Sequence, residues 1–173
     1  MSARSPDLSV IIVSFNTRAL LEACLRSLGD TRVALEVFVV DNGSTDGSVE
    51  LVRTTFPHVR LLLPGRNVGF AAANNLALSL ATGRHVLLLN PDAAVEPGAL
   101  EAVVDFLDRH PDVGALGGQL TYGDGSFQHS VFQFPTLPMI FLDFFPLNHR
   151  LLNSRLNGRY PRRWYNRPFD VDH

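Results

Sequence analysis

Short hydrophobic runs alternate along the chain with longer segments in which apolar residues recur at helical spacing. The short runs are typical of buried strands and lie at residues 8–13, 37–40, 59–63, 86–89 and, loosened by glycines, 113–122. The intervening segments predict helices at about residues 17–28, 48–56, 70–80 and 97–109, with Asn16 or Thr17 as the cap of the first. This alternation predicts an α/β fold with a mostly parallel, doubly wound sheet.

The run at residues 86–89 is the centre of the predicted sheet, and it stops on the sequence Asn90-Pro91-Asp92. A continuous apolar run predicts a strand covered on both faces, and proline ends it because it has no amide hydrogen for a ladder. The asparagine and the aspartate then lie at the carboxyl end of the strand, where open α/β sheets bind ligands. An Asn-Pro-Asp turn is also ordinary turn chemistry, so both interpretations stay open here.

Polar residues follow three other predicted strands, at Ser14, Asp41 and Arg66. Together with the Asn-Pro-Asp turn they put four polar segments on one rim of the sheet, which is the geometry of a nucleotide site. The first strand is not followed by Gly-x-Gly-x-x-Gly, and the chain has no lysine for a phosphate-binding loop of the Gly-x-x-x-x-Gly-Lys type. A diphosphate would therefore be neutralised by a divalent cation held on a carboxylate.

Composition places the chain among globular proteins, with 173 residues, 46% of them hydrophobic and 18% charged. The single cysteine, Cys24, has no partner in the chain for a disulfide and is expected to be a small core residue. The sequence has no apolar stretch long enough to span a membrane, and residues 1–7 lack the apolar segment of a signal peptide. We therefore expect a cytoplasmic protein.

The charge is unevenly distributed. Residues 1–146 hold 9 arginines against 15 acids, a net charge of −6, whereas residues 147–173 hold 6 arginines against Asp170 and Asp172, a net charge of +4. The tail is basic and aromatic, which suits anionic lipid headgroups, a phosphorylated substrate or a merely solvated surface. Residues 132–146 are unusually aromatic, and we expect them to pack over the sheet, to lie on a membrane surface or to form a homodimer.

Four motifs occur in order at residues 8–16, 38–46, 67–75 and 89–92, with the sequences LSVIIVSFN, FVVDNGSTD, NVGFAAANN and LNPD. They resemble the successive motifs of family 2 glycosyltransferases, and the resemblance covers about residues 7–122. The Asn-Pro-Asp form is most similar to the rhamnosyltransferase-like bacterial branch that builds polysaccharides. The resemblance implies a glycosyltransferase A-type fold and inverting transfer of a sugar from a dTDP- or UDP-sugar to a glycan or lipid-linked glycan. It implies no nucleic-acid partner, and a location at the inner face of the cell membrane.

The same resemblance implies roles for individual residues. Ser14 and Phe15 border the base, Asp41 bonds the base or ribose, and Asp92 holds Mg²⁺ or Mn²⁺. The remaining residues implied in nucleotide binding are Asn16, Arg66, Asn67, Gly69, Asn74 and Asn90. Gly69 is otherwise an ordinary turn glycine, and Asn74 a helix residue with a local hydrogen bond. Asn90 replaces the first acid of the family's Asp-x-Asp motif, so Asp92 is expected to bear most of the cation binding.

The chain departs from the family's pattern after the metal motif. Its acids beyond Asp124 are Asp143, Asp170 and Asp172, and none stands in a context like the family's general-base motif. We therefore expect a donor-binding domain at residues 1–125 and, at 126–173, the start of an acceptor half, in a fragment or a natural truncation. Two functions stay open: a sugar transferase or its donor-binding portion, and a catalytically incomplete nucleotide-binding or dimerisation module.

Overall fold

A computed structural model describes residues 5–145 and 157–166. Contacts within the chain define two compact units, one ending at Val113 and the other beginning at Gly114. The predicted domain boundary after residue 125 falls inside the second unit, and the functional division that it implies stays a prediction.

The first unit alternates strands and helices as predicted. Its strands are β1 (Leu8–Ser14), β2 (Leu35–Asp41), β3 (Arg60–Leu62) and β4 (His85–Leu89). Its helices are α1 (Arg18–Ser27), α2 (Ser48–Thr55), α3 (Phe70–Leu78) and α4 (Ala99–Arg109). All three strand pairings are parallel, in the order β3-β2-β1-β4, so the predicted parallel α/β sheet is confirmed.

Alternate residues of the central strands feed two cores. On one face Val10 and Ile12 of β1 pack with apolar residues of α1, α2 and α4, among which Cys24 is buried as expected. On the other face Ile11 packs with residues of β2 and with Ala73 and Ala77 of α3. Because the alanines are small, α3 lies close to the sheet at β1 and β2. This close packing holds the loop before α3 at the carboxyl edge of the sheet.

Strand β4 differs from its prediction. We expected both faces to be covered, but Val86 and Leu88 are 43% and 51% exposed, whereas Leu87 and Leu89 pack against the core shared by α1, α2 and α4. The reason is the position of β4 at the edge of the sheet, while α3 packs over β1 and β2. A continuous apolar run therefore did not indicate burial on both faces here.

The amino-terminal edge of the sheet is closed by the turn between α3 and β4. Oε1 of Glu36 accepts hydrogen bonds from the Ser9 hydroxyl at 2.6 Å, from the Thr82 hydroxyl at 3.0 Å and from the Gly83 amide at 3.0 Å, as well as from the Thr82 amide. A Cβ on Gly83 would lie 2.6 Å from the amide nitrogen and hydroxyl of Ser9. This turn therefore requires glycine for close packing.

The second unit contains a short antiparallel hairpin, β5 (Leu120–Thr121) with β6 (Phe127–Gln128), then α5 (Leu137–Phe144) and a 3₁₀ helix (Arg162–Asn166). The predicted strand at residues 113–122 is wrong except at its end. Glycines at 114, 117 and 118 offer no side chain to pack and favour the unfolded backbone, so the strand forms only beyond them. Within the described residues, the helices are all too short or too polar to cross a bilayer.

Candidate functional site

The carboxyl ends of β1 and β2 lie side by side, because Ser14 is the register partner of Asp41, and both residues are buried. Oδ1 of Asp41 accepts the amides of Gly43 at 3.0 Å and Ser44 at 2.8 Å. Oδ2 is also buried but has no hydrogen-bond partner in the part of the chain that the structure describes. Since buried carboxylate oxygens are normally paired, a half-satisfied one at this edge indicates a place for a ligand donor.

The loop after β1 is fastened to the loop after β2. Asn16 has a left-handed backbone with φ of 53°; its amide donates to the Ser44 hydroxyl at 2.9 Å, and its Oδ1 accepts the Thr45 amide at 2.8 Å. Ser14 and Thr17 share a hydroxyl hydrogen bond of 2.9 Å, while Phe15 is exposed. Asn16, which the resemblance implies in nucleotide binding, therefore joins the two loops, and its role towards a nucleotide stays a prediction.

Asp46 completes this connection, and sequence analysis did not single it out. Its Oδ2 accepts the Arg18 amide at 2.8 Å, and its Oδ1 accepts the amide and hydroxyl of Ser48 at 3.0 and 2.6 Å. The Ser48 hydroxyl lowers the pKa of Asp46, and with the backbone amides it outweighs the opposing effect of burial. The sequence did contain a signal for this role, because Asp46 stands just before Gly47 at a predicted helix start. A carboxylate at such a position accepts hydrogen bonds from the unpaired backbone amides of the first helical turn. The predicted cap of α1, Thr17, has the expected position but makes no side-chain capping bond.

The loop before α3 lies against the end of β2. A Cβ on Gly43 would be 3.6 Å from the Cα of Arg66, and the Val68 amide donates to Oδ1 of the buried Asn42 at 3.4 Å. Asn67 accepts the Gly69 amide at 2.9 Å, in a turn that gives Gly69 a φ of 83°, which disfavours side chains.

Two other predicted residues near this loop differ in exposure. The Arg66 side chain is exposed and has no ion pair within the described residues. Asn74 is buried, and its amide nitrogen donates to the Phe70 carbonyl at 2.9 Å, so it makes the local helix bond that we had kept as its alternative. Arg66 and Asn67 therefore lie at the end of β2, whereas the side-chain amide nitrogen of Asn74 is engaged in a hydrogen bond inside α3.

Asn90 and Asp92 lie in an exposed turn after β4. The Asn90 carbonyl accepts the Ala93 amide at 3.1 Å and the Cys24 thiol at 3.6 Å, while the side chains of Asn90 and Asp92 make no hydrogen bond within the described chain. Burial, and secondarily the charge of Asp92, raises the pKa of the Cys24 thiol to about 11.

The acids of the described residues do not form a ready-made metal cage, because no group of three or more His, Cys, Asp or Glu side chains in residues 5–145 and 157–166 is placed to bind a metal. A single carboxylate suits a cation whose shell is completed by phosphate oxygens and water, as is common for Mg²⁺. The turn after β4 is separated from the end of β2 by one strand, hence by ~10 Å. This separation is comparable with the distance from a base to its diphosphate.

A polar edge of this kind occurs on many α/β proteins, and sequence comparison gives the family. The sequence model of glycosyl transferase family 2 matches residues 9–169. The chain belongs to that family. The family and the glycosyltransferase A-type fold that the motifs implied are therefore confirmed.

Two proteins similar to this chain are longer than it. An N-acetylglucosaminyl-diphospho-decaprenol L-rhamnosyltransferase of Mycobacterium tuberculosis is 34% identical over 142 residues, which cover 75% of this chain and 46% of the relative. The succinoglycan biosynthesis protein ExoO of Rhizobium meliloti is 27% identical over 175 residues, covering 95% of this chain and 49% of ExoO. The chain thus spans about half the length of these two relatives.

Two solved structures have a fold similar to that of this chain. Residues 1–349 of TarS from S. aureus give a TM-score of 0.64 at 23% identity, covering 88% of this chain and 46% of that one. The mannosyltransferase PcManGT from Pyrobaculum calidifontis, in complex with GDP-Man and Mn²⁺, gives a TM-score of 0.53 at 33% identity, covering 61% of this chain and 33% of that one.

Proposed function

We propose that this chain is the donor-binding portion of an inverting glycosyltransferase that transfers a sugar from a dTDP- or UDP-sugar to a glycan or lipid-linked glycan. The observation that carries the proposal is the unpaired Oδ2 of Asp41 at the end of β2. Family membership supports sugar transfer, and the rhamnosyltransferase relative supports rhamnose as the sugar. The site of action in this proposal is the cytoplasm, at the inner face of the membrane.

In this proposal Asp41 recognises the base. Uracil and thymine carry a hydrogen on N3, which donates to Oδ2, whereas N3 of cytosine is an acceptor and would face the carboxylate unfavourably. Oδ2 is almost inaccessible to water, so the base has to displace the groups that cover it. Ser14 lies beside Asp41, and the exposed ring of Phe15 supplies an apolar border for the base.

The diphosphate lies towards β4. Asp92 would hold Mg²⁺ or Mn²⁺, with the Asn90 amide oxygen as a neighbouring ligand, and the cation would neutralise charge on the leaving diphosphate. The exposed guanidinium of Arg66 supplies a further positive charge that can reach phosphate oxygens. The backbone at Gly69 leaves room for close approach, and Asn67 and Asn74 extend this side of the site.

In the proposed reaction, an acceptor hydroxyl attacks the anomeric carbon as the bond from that carbon to the diphosphate oxygen breaks. The configuration inverts, and the hydroxyl proton passes to a general base. We assign no base, because Asp170, Asp172 and the side chain of Asp143 lie outside the described part of the chain. Release of nucleoside diphosphate that depends on added acceptor separates transfer from the alternative of a binding-only or dimerisation module.

The test is calorimetric titration of the chain with UDP, dTDP and CDP in Mn²⁺. We expect UDP and dTDP to bind more tightly than CDP. In Asp41→Asn the amide retains one acceptor oxygen but presents N–H where Oδ2 lay, so UDP should weaken by ~1–3 kcal/mol, whereas CDP should bind more tightly because its N3 acceptor now meets a donor. Asp30→Asn, an exposed acid beyond the end of α1, is the matched control. Equal affinity of the unmodified chain for CDP and UDP would refute the base assignment.

A further inference from the structure

Helix α5 exposes an apolar stripe. Leu137, Ile140, Phe141 and Phe144 recur at the spacing of one helix face, and all four are exposed, Leu137 at 83% and Phe144 at 77%. Met139, on another face, is buried, and its side chain packs against Gly158. Met139 therefore anchors the helix, whereas the apolar side chains of the stripe are exposed to solvent.

Three phenylalanines extend this stripe, and we name the whole surface the α5 patch. Phe132 and Phe134 precede the helix and Phe145 follows it, and all three are exposed. Phe141 and Phe145 contact each other, with ring centroids 5.0 Å apart. Scattered exposed apolar residues need no explanation, but a concentration of large ones on a single short segment marks an interaction surface.

Arg159, in the same unit, contacts the α5 patch. The guanidinium carbon of Arg159 lies 5.3 Å from the centroid of the exposed Phe132 ring, and Phe132 pairs with Arg159 in a β-bridge. Arg162 and Arg163 follow in the 3₁₀ helix and are both exposed. Trp164 and Tyr165, which are partly buried, complete the segment. Arginine with tryptophan and tyrosine next to an apolar surface is typical of the boundary between lipid headgroups and acyl chains.

We propose that the α5 patch and the basic segment Asn157–Asn166 form a peripheral surface for anionic phospholipid. The phenylalanines and leucine insert at the level of the headgroups, and the arginines bind lipid phosphates. The described segment Asn157–Asn166 holds three arginines and no acid, a net charge of +3. A two-fold dimer through this surface would bring two such basic segments together, so the charge favours an anionic membrane over a second copy. This inference goes beyond the proposed function and does not depend on donor binding.

The experiment is flotation of the full chain with vesicles of pure phosphatidylcholine and of an equimolar phosphatidylcholine–phosphatidylglycerol mixture. The chain should float with the mixed vesicles and bind pure phosphatidylcholine at least about tenfold more weakly, and salt should weaken the binding. Phe141→Ser with Phe144→Ser should reduce partitioning into mixed vesicles by about tenfold or more, because two large apolar groups are lost. Arg162→Gln with Arg163→Gln should reduce it by about tenfold and flatten the salt dependence.

Leu20→Ser with Leu63→Ser is the matched control, because both leucines are exposed and lie in the first unit. These changes should leave vesicle binding unaltered, and far-ultraviolet circular dichroism should show that every variant is folded. Equal binding to both vesicle types, or equal loss in the control, would overturn the proposal. The proposal would also be overturned if the chain bound neither vesicle type and sedimented as a dimer that the double substitution Phe141→Ser with Phe144→Ser dissociates. A second copy of the chain would then cover the patch.

Discussion

Strand β2 carries an acid at each end of the sheet, and the two carboxylates are held in opposite ways. Glu36, near the amino end, collects hydrogen bonds from Ser9, Thr82 and Gly83 on one oxygen, and its other oxygen lies 3.6 Å from Arg60. Asp41, at the carboxyl end, has one oxygen bonded to two backbone amides and the other unpaired. The two acids thus lie on the same strand but differ in whether hydrogen bonds and ion pairs from the described residues satisfy both carboxylate oxygens.

In the proposed function, this difference distinguishes a structural carboxylate, Glu36, from one that binds a ligand, Asp41. The bonds to Glu36 close the amino edge, whereas the pairing at Asp41 is left incomplete at the edge where parallel sheets bind ligands. An unpaired buried oxygen costs stability, which ligand binding can recover. The comparison therefore predicts that changes at the amino edge reduce stability, while changes at the carboxyl edge mainly reduce binding.

The largest effect should come from closing the space at Gly83. In Gly83→Ala the new Cβ would meet backbone atoms of Leu8 and Ser9 at 2.9 Å or less, so we expect a loss of roughly 3 kcal/mol in the free energy of unfolding, measured by urea denaturation. Gly117→Ala is the matched control, since no atom lies within 4 Å of its Cβ, and its stability should change by less than ~1 kcal/mol. Similar losses in both variants would contradict a tightly packed amino edge.

Next in size is the contrast between the two acids themselves. Glu36→Ala should lower the free energy of unfolding by ~2 kcal/mol because several donors lose their acceptor, whereas Asp41→Ala should cost ~1 kcal/mol because it also removes an unpaired buried oxygen. UDP titration should show the reverse order, with binding weakened by ~1–3 kcal/mol in Asp41→Ala and unchanged in Glu36→Ala. If Asp41→Ala is the more destabilising and still binds UDP normally, the distinction between the edges is wrong.

A third prediction concerns the exposed acid after β4. Mn²⁺ should strengthen UDP binding to the unmodified chain by about tenfold, the scale of one favourable charge pair at a partly solvated site, and Asp92→Ala should abolish this enhancement. Removing the metal with a chelator should have the same effect as the substitution. Asp30→Ala is the control, and an undiminished effect of Mn²⁺ in Asp92→Ala would reject the metal assignment.

The smallest effect should be a dependence on pH at the amino edge. Burial raises the pKa of Glu36, but hydrogen bonds from Ser9, Thr82 and Gly83 outweigh it and hold the pKa below the ordinary value of 4.5. The ionised group is therefore stabilising above pH 4.5, and this contribution is lost as the pH falls through the lowered pKa. Glu36→Gln should cost up to ~1 kcal/mol at neutral pH. That difference from the unmodified chain should shrink in acid, and a constant difference would count against the pKa shift.

Sequence patterns predicted the parts of the fold that depend on local periodicity. The parallel sheet and the positions of Asp41 and Asp92 at strand ends followed from where apolar runs stop. The exposure of Val86 and Leu88 did not follow from the sequence pattern, because it depends on which strand lies at the edge of the sheet and on where α3 packs. The bonds of Asn16 and Asp46 were also missed, since their partners lie 28 residues away in Ser44 and Arg18. Such pairing depends on tertiary structure and leaves no periodic signal.

The connection between the loops after β1 and β2 has a consequence for engineering this enzyme family. Asn16 bonds Ser44 and Thr45, and Asp46 bonds the Arg18 amide, so three hydrogen bonds join two segments that are separate in sequence. Grafting one loop from a homologue with another donor preference would leave these partners mismatched. The two loops should therefore be exchanged together, so a chimera within this family should carry residues 14–18 and 41–48 from the same parent.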